Sequence, residues 1–379
     1  MELPLQPGSW VGILGGGQLG RMSAEAARRL GYRVRTLDPS PGACAAAVSD
    51  EHVTAAWDDL AALDRFAAGC GRVTLEFENI PPATVAHLAR AVPCHPSAEV
   101  LATCQNRRRE KLFLREAGIP CAPFEVVDSR AALPAALARV GYPAVLKTAD
   151  FGYDGKGQAK LADASADLDA AWARMGGASA VLEGWVPFDL ELSVLVARRA
   201  DGATAAYEPA ENLHRDHILH LSLSPARIDP ALAARAKALA VDVAARLGIV
   251  GLLGVELFAV GDRLLVNELA PRPHNSGHQT LDAHATSQFE QHIRAVCGLG
   301  LGDPTLRRPA AMLNLLGDLW KGGREPDWSL VTRDPSARLH LYGKGRPAPG
   351  RKMGHVTVLA DTVEAALARA RDLHAALSA

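Results

Sequence analysis

Two glutamates break otherwise apolar runs: Glu256 in GVELF and Glu268 in VNELAPRPHNSGH. A turn at Gly261-Asp262 joins the runs, which predicts a hairpin with both carboxylates able to point into one site. Carboxylates that face phosphates need a cation between them. Mg²⁺ suits such a place, because it takes one or two carboxylates and fills its shell with phosphate oxygens and water. Asn267 adds an amide oxygen beside Glu268. Upstream, VLKTADFGYDGKGQ sets Lys147 at a strand end before a loop with Gly152, Gly155 and Gly157. Glycines let backbone amides approach an anion, and a lysine adds a point charge. The loop lacks the G-K-[ST] of a Walker A motif. The plainer alternatives are a surface hairpin loop and solvated acids.

A third feature is WVGILGGGQLGRM, in which Gly15, Gly17 and Gly20 fit G-x-G-x-x-G, with Asp38 following in RTLDPS. It predicts a strand, a turn and a helix N-terminus whose amides are open to phosphate. Alone it would indicate a dinucleotide-dependent oxidoreductase, but that reading leaves Lys147, its loop and the Glu256/Glu268 hairpin unexplained. His214, His217 and His220, and then His274 and His278, suggest zinc only weakly, since no cysteine lies near either group. The NRRREK run reads as a solvated helix face.

These residues need elements to hold them. Strands over 10–14, 33–37 and 73–79 alternate with helices over 18–31, 58–71 and 82–92, which predicts a parallel sheet. A charged helix follows over 106–120, then strands over 142–149 and 180–186 around a helix over 163–176. Strands over 190–199 and 217–223, a helix over 230–247, the hairpin over 251–260 and 263–273, and a helix over 286–297 complete the middle of the chain. The last segment mixes short strands with a helix over 362–377. Expected domains are therefore 1–103, 104–300 with a mobile lid over about 125–190, and 301–379. The chain has 379 residues, 41 Lys plus Arg against 42 Asp plus Glu, and is 48% hydrophobic. That balance opposes a general nucleic-acid binder. The six cysteines form no C-x-x-C pair, so a reduced, cytoplasmic protein is expected. No apolar run reaches the ~18 residues of a membrane span.

The order lysine, glycine-rich loop, acidic strand, acidic strand resembles the ATP-grasp enzymes. Taken with GILGGGQLGRM, FEN, KTADFGYDGKGQ, ELAPRPHNSGH and GRKMGHVTV, the whole chain resembles the N5-carboxyaminoimidazole ribonucleotide synthetase family. The resemblance implies a mixed α/β and α+β chain: an ATP-grasp fold with an N-terminal Rossmann-like parallel-sheet domain and a small C-terminal domain. It implies an ATP-dependent carbon–nitrogen ligase of de novo purine biosynthesis, carboxylating 5-aminoimidazole ribonucleotide with bicarbonate through carboxyphosphate. ATP, two Mg²⁺ ions and a homodimer come with it, and neither nucleic acid nor membrane. Arg107 and Lys147 would meet the ATP phosphates, and Gly152, Tyr153, Asp154, Gly155, Lys156, Gly157 and Gln158 would form the loop over them. Glu183, Gly184, Trp185 and Val186 match the adenine hinge, Glu191 the ribose acid, His214 and Asn267 further nucleotide positions, and Glu256 and Glu268 the metal ligands. Arg272, His274 and Asn275 would hold bicarbonate, with Asp154 and Lys156 sharing in catalysis. Gln18, Tyr153, Asp154, Lys156, Arg351 and Lys352 would bind the ribonucleotide. Another ATP-grasp ligase, such as a formate-dependent glycinamide ribonucleotide transformylase, is the alternative. A catalytically silent ATP-grasp binding protein is disfavoured by the loop and both acids.

Overall fold

The computed structural model describes residues 3–150, 157–177 and 179–379. It divides into two compact units, one of residues up to Val100 with Leu192–Gly254 and Ala270–Ala379, the other of Leu101–Glu191 with Val255–Leu269.

The first hundred residues form β1 (Trp10–Leu14), α1 (Gln18–Arg29), β2 (Arg33–Asp38), β3 (Glu51–Thr54), α2 (Leu60–Ala67), β4 (Cys70–Leu75) and α3 (Pro82–Leu88). The strands pair in parallel in the order β3-β2-β1-β4. Val11 and Ile13 of β1 and Val34 of β2 are fully buried, as expected of a parallel strand covered on both faces. The strand expected over 73–79 stops at Leu75, and the FEN stretch leaves the sheet.

The chain continues through α4 (Ala98–Gln105), α5 (Arg107–Glu116), β5 (Phe124–Val127), α6 (Leu133–Val140), β6 (Ala144–Thr148), β7 (Gln158–Leu161), α7 (Leu168–Arg174) and β8 (Ala180–Gly184). Asn106 caps α5, its side chain accepting the Arg109 amide at 3.0 Å. The helix expected over 106–120 ends at Glu116 and leaves through Gly118, whose φ of +65° suits glycine. The four strands make an antiparallel sheet in the order β5-β8-β6-β7. Its apolar face includes Leu146, Ala159 and Leu182 and packs on Leu133, Ala136 and Leu137 of α6.

Then come β9 (Leu190–Arg198), β10 (Thr204–Ala206), β11 (Ala210–Arg215), β12 (Ile218–Ser224), α8 (Pro230–Leu247), β13 (Gly251–Val260), β14 (Arg263–Ala270), α9 (Thr280–Ala283), α10 (Gln288–Val296), β15 (Ala310–Leu316), α11 (Ser329–Thr332), β16 (Ala337–Leu341), β17 (Lys352–Leu359) and α12 (Val363–Leu377). Within the first unit the sheet runs β9-β11-β12-β15-β17-β16. The C-terminal strands therefore extend the sheet of β11 and β12. The reason is a shared core: Leu221 and Leu223 of β12, Leu313 and Leu315 of β15, Val356 and Val358 of β17, and Ala366, Ala370 and Leu373 of α12 pack as one cluster. On the parallel sheet, Phe289, Ile293 and Cys297 join Val11, Ile13 and Ala27.

The turn from β1 into α1 is held tightly. A Cβ on Gly20 would lie 2.7 Å from the Gly15 carbonyl oxygen, and that backbone atom cannot swing away. Gly20→Ala should therefore cost about 1–3 kcal/mol in urea denaturation. An unchanged midpoint would disprove the close approach.

Candidate functional site

In the second unit, Lys147 on β6 and Glu183 on β8 lie diagonally on one sheet face, because Glu183 stands opposite Val145. The Lys147 Nζ donates to Glu183 Oε2 at 3.1 Å. From α5, Lys111 Nζ reaches the same oxygen at 3.4 Å and Arg107 comes within 3.7 Å of Oε1. Lys111 is fully buried and also donates to the Asn267 carbonyl at 3.0 Å. Burial alone would raise the Glu183 pKa, but Lys111, Lys147 and Arg107 together hold it down at about 2. Burial, with Arg107 and Lys111 nearby, lowers that of Lys147. Lys111 and the role of Glu183 as hub were missed from sequence. The glutamate was read only for the hinge backbone, and Lys111 is masked by its charged neighbours in NRRREK.

The acidic hairpin answers this basic group. Glu268 on β14 lies 3.9 Å from Arg107. Burial would lower the Arg107 pKa, but Glu268, Glu183, Glu110 and Glu256 raise it. Glu256 and Glu268 are both half-buried, as is Asn267. Two carboxylates and an amide form a hard oxygen set that fits Mg²⁺. Glu110, also missed from sequence, is buried and accepts the Leu269 amide at 2.9 Å. Its burial, with Glu268 adding to it, lifts its pKa to about 8, so at neutral pH it keeps a proton.

The amides of Gly184 and Trp185 are bonded to the carbonyls of Pro123 and Pro143, so the hinge reading rests on the other backbone groups of 183–186. Glu191 lies in β9, half-buried. The glycine loop connects β6 to β7. Lys147 pairs with Gln158 in register, and Gly157 accepts the Thr148 amide at 2.8 Å. Gly152, Tyr153, Asp154, Gly155 and Lys156 lie outside the described residues. His214 is exposed on β11 of the first unit.

The glycine turn of the first unit corrects the sequence expectation. Asp38 accepts the Gly16 amide at 2.8 Å, and Glu76 accepts those of Gly17 and Gly20 at 2.8 and 2.9 Å. The protein's own carboxylates take the amides that a phosphate would use. Burial raises the Glu76 pKa, and the two amides only partly offset it. Positive charge near the turn comes instead from side chains. Lys344, missed from sequence, feels Arg351 and Lys352 as well as Glu76, and burial brings its pKa down to about 8. Arg21, on the same helix as Gln18, approaches Gly343. Such a group can hold a phosphate monoester.

Farther along the first unit, Arg272 is paired with Glu78 through Nε and through NH2, the latter at 2.8 Å, and its NH1 donates to the Pro273 carbonyl at 3.0 Å. Burial would raise the Glu78 pKa, but Arg272 takes it to about 2. Glu78 and the Pro273 carbonyl together thus engage three of the five N–H donors of Arg272. Asn275 Oδ1 is buried with no hydrogen-bond partner among the described residues, an acceptor suited to a donor from a ligand. Asp282, His340 and His355 also gather in this unit. The two rings stack at 4.4 Å and 10°, so their lone pairs lie in parallel planes and cannot converge on one ion.

Comparisons follow this geometry along the chain. Family models match as the ribonucleotide synthetase preATP-grasp domain over residues 9–105, the ATP-grasp domain over 112–289 and the phosphoribosylaminoimidazole carboxylase C-terminal domain over 310–369. The N5-carboxyaminoimidazole ribonucleotide synthase of Bacillus subtilis (strain 168) is 43% identical over 360 residues, covering 94% of this chain and 92% of the relative. That of Brucella melitensis biotype 1 is 45% identical over 355 residues, covering 93% and 97%. A crystal structure of an N5-carboxyaminoimidazole ribonucleotide synthetase in its ADP complex is similar at a TM-score of 0.93 and 44% identity, covering 99% of this chain and 98% of that one. The Aspergillus clavatus enzyme, in complex with ADP and 5-aminoimidazole ribonucleotide, gives 0.89 and 33%, covering 98% of each.

The proton on Glu110 has a measurable consequence. Its folded pKa of about 8 lies above the ordinary carboxyl value. The stability it contributes is complete below that ordinary value and is lost as pH rises through about 8. Glu110→Gln keeps an acceptor for the Leu269 amide but does not titrate. It should gain on wild type by about 1.4 kcal/mol per pH unit up to the folded pKa. Urea denaturation across the neutral range reads this, and parallel curves would show that Glu110 is ionised in the folded chain.

Proposed function

The chain belongs to the N5-carboxyaminoimidazole ribonucleotide synthase family, and on that premise we propose residue roles for its reaction. It is an ATP-grasp ligase that carboxylates 5-aminoimidazole ribonucleotide to N5-carboxyaminoimidazole ribonucleotide in purine biosynthesis, with ATP. The carbon source is bicarbonate. A bicarbonate oxygen attacks the γ-phosphorus, ADP leaves, and carboxyphosphate forms. The amine then attacks the carboxyl carbon, a C–N bond forms, and phosphate departs. Activation is needed because bicarbonate is a poor electrophile.

In the second unit, Lys147 and Arg107 hold the ATP phosphates, with Gly157, Gln158 and the 152–156 loop over them. Val186 and Glu191 meet the nucleoside, and His214 is proposed as a further nucleotide-binding residue. Glu256 and Glu268, with Asn267, would hold two Mg²⁺ ions, which offset charge on the phosphates. The observation that carries this reading is the set Lys147, Arg107 and Lys111 gathered on one buried carboxylate, with Glu268 beside Arg107. In the first unit, Arg272, His274 and Asn275 hold bicarbonate. Lys344, Arg351, Lys352 and Gln18 take the 5′-phosphate. For Tyr153, Asp154 and Lys156, outside the described residues, the proposed role is recognition of the aminoimidazole. A homodimer in the cytoplasm completes the proposal. Among the described residues, no helix is long and apolar enough to cross a membrane.

ADP release should require both 5-aminoimidazole ribonucleotide and bicarbonate when each is omitted in turn. Turnover of glycinamide ribonucleotide with formate would overturn the acceptor and establish the transformylase alternative. Glu268→Gln should lower Mg-ATP turnover by about a hundredfold or more. Near-wild-type activity would remove it from the metal site.

A further inference from the structure

His274 caps the short turn Asn275–Gly277, and its side chain accepts the Ser276 amide through Nδ1 at 3.4 Å. A backbone N–H can only donate, so this nitrogen carries the lone pair. The Ser276 hydroxyl lies 2.8 Å from the same Nδ1. Ser193 in turn donates its hydroxyl to Ser276 Oγ at 2.7 Å. A serine has one hydroxyl proton. With Ser193 already donating to it, Ser276 directs its own to His274. Both serines are buried, at 1% and 2% exposure, so water does not compete. The backbone is clamped as well. The His274 amide donates to Gln288 Oε1, and Gln288 Nε2 donates to the His274 carbonyl, both at 2.8 Å. Ser222 donates to the Ser276 carbonyl at 2.9 Å.

We infer that Ser276 and Ser193 are positioning residues that lock His274 in the tautomer with its proton on Nε2. The imidazole then meets the bicarbonate-derived species as a hydrogen-bond donor and takes no proton. This rests on the reading that places His274 at bicarbonate. The proton lost by the attacking amine goes to the departing phosphate. As the C–N bond forms and the C–O bond to phosphorus's oxygen breaks, that oxygen gains the electron pair that accepts it.

The test begins with ring-¹⁵N-labelled histidine in the full-length protein, with His274 assigned by its loss in His274→Gln. Two-bond proton–nitrogen spectra should show Nδ1 bare and Nε2 protonated. Protonation at Nδ1 would overturn the proposal without reference to activity. Ser276→Ala should mix the tautomers and lower kcat about tenfold, the worth of one hydrogen bond, with KM for ATP unchanged. Ser276→Thr, which keeps the hydroxyl, should recover most of the loss. If Ser276→Ala is insoluble, Ser193→Ala should show the same changes in weaker form. Wild-type tautomer and kcat in the soluble alanine variant would refute the lock. His274→Gln keeps a donor without a basic nitrogen, and should stay within about tenfold of wild type. A loss equal to that of His274→Ala would refute the donor role. Full activity in His274→Ala would instead remove His274 from the bicarbonate site, while the tautomer result would stand.

Discussion

One buried carboxylate, Glu183, sets the chemistry of the second unit. A carboxylate at 3% exposure is costly unless it is paired, and this one is paired three times over. Its oxygens engage Lys147, Lys111 and Arg107. Without it these cations would repel each other by roughly 4 kcal/mol per pair at contact, taking an effective dielectric near 20. Its position follows from the sheet. β8 is the inner strand between β5 and β6, and α5 supplies the other two cations. The cations are thus held in place by the fold itself, so on the proposed role at the ATP phosphates little reorganisation would be left for binding. Glu110 completes the balance. Three cations face four nearby carboxyls, and burial with Glu268 beside it raises the pKa of Glu110.

The same device, an internal carboxylate holding donors in place, recurs in the first unit and changes the meaning of its glycine turn. The spacing of Gly15, Gly17 and Gly20 does build a strand–turn–helix junction with inward-facing amides. Those amides are then spent on Asp38 and Glu76. The motif therefore reports a close packing of backbone on backbone, as the Gly20 approach to Gly15 shows, and not a dinucleotide. Arg272 is treated alike. Glu78 fixes its Nε–NH2 edge, which takes two of its five N–H donors but leaves the guanidinium plane oriented.

The sequence made the long periodic elements legible. β1, α1, β2, α8, the β13–β14 hairpin and α12 fall near the expected ranges, because each has a strong period and a clear stop such as Gly248 at φ +69° or the turn at Gly261. It did not reveal β5, β7 or β11. FEVV and QAKL are four residues long, and AENLHR places a glutamate and an asparagine inside. Those strands exist through pairing and not through their own pattern. Nor could it show that β15, β16 and β17 extend an existing sheet, since strand neighbours are a tertiary fact. In the site, Lys147 and Glu268 stood out because each is a charge at the end of or inside an apolar strand, whereas Arg107 lies in the charged NRRREK run and came only with the family resemblance. Lys111, Glu110 and Lys344 were not legible, since lysines and glutamates in polar runs look solvated until burial is known.

Fixing where protons sit has a chemical logic that links these features. Carboxyphosphate is an acyl donor that water can attack as readily as an amine can. A basic group beside it would activate either nucleophile, and water is the more abundant. A donor stabilises the developing charge on the departing oxygens and cannot deprotonate water. Under the proposed placement of His274, the buried serines around it would supply that discrimination at small structural cost. They remove the accepting lone pair from the reacting side of the ring by bonding it internally. Selectivity for the amine then comes from which protons the enzyme offers and which lone pairs it hides.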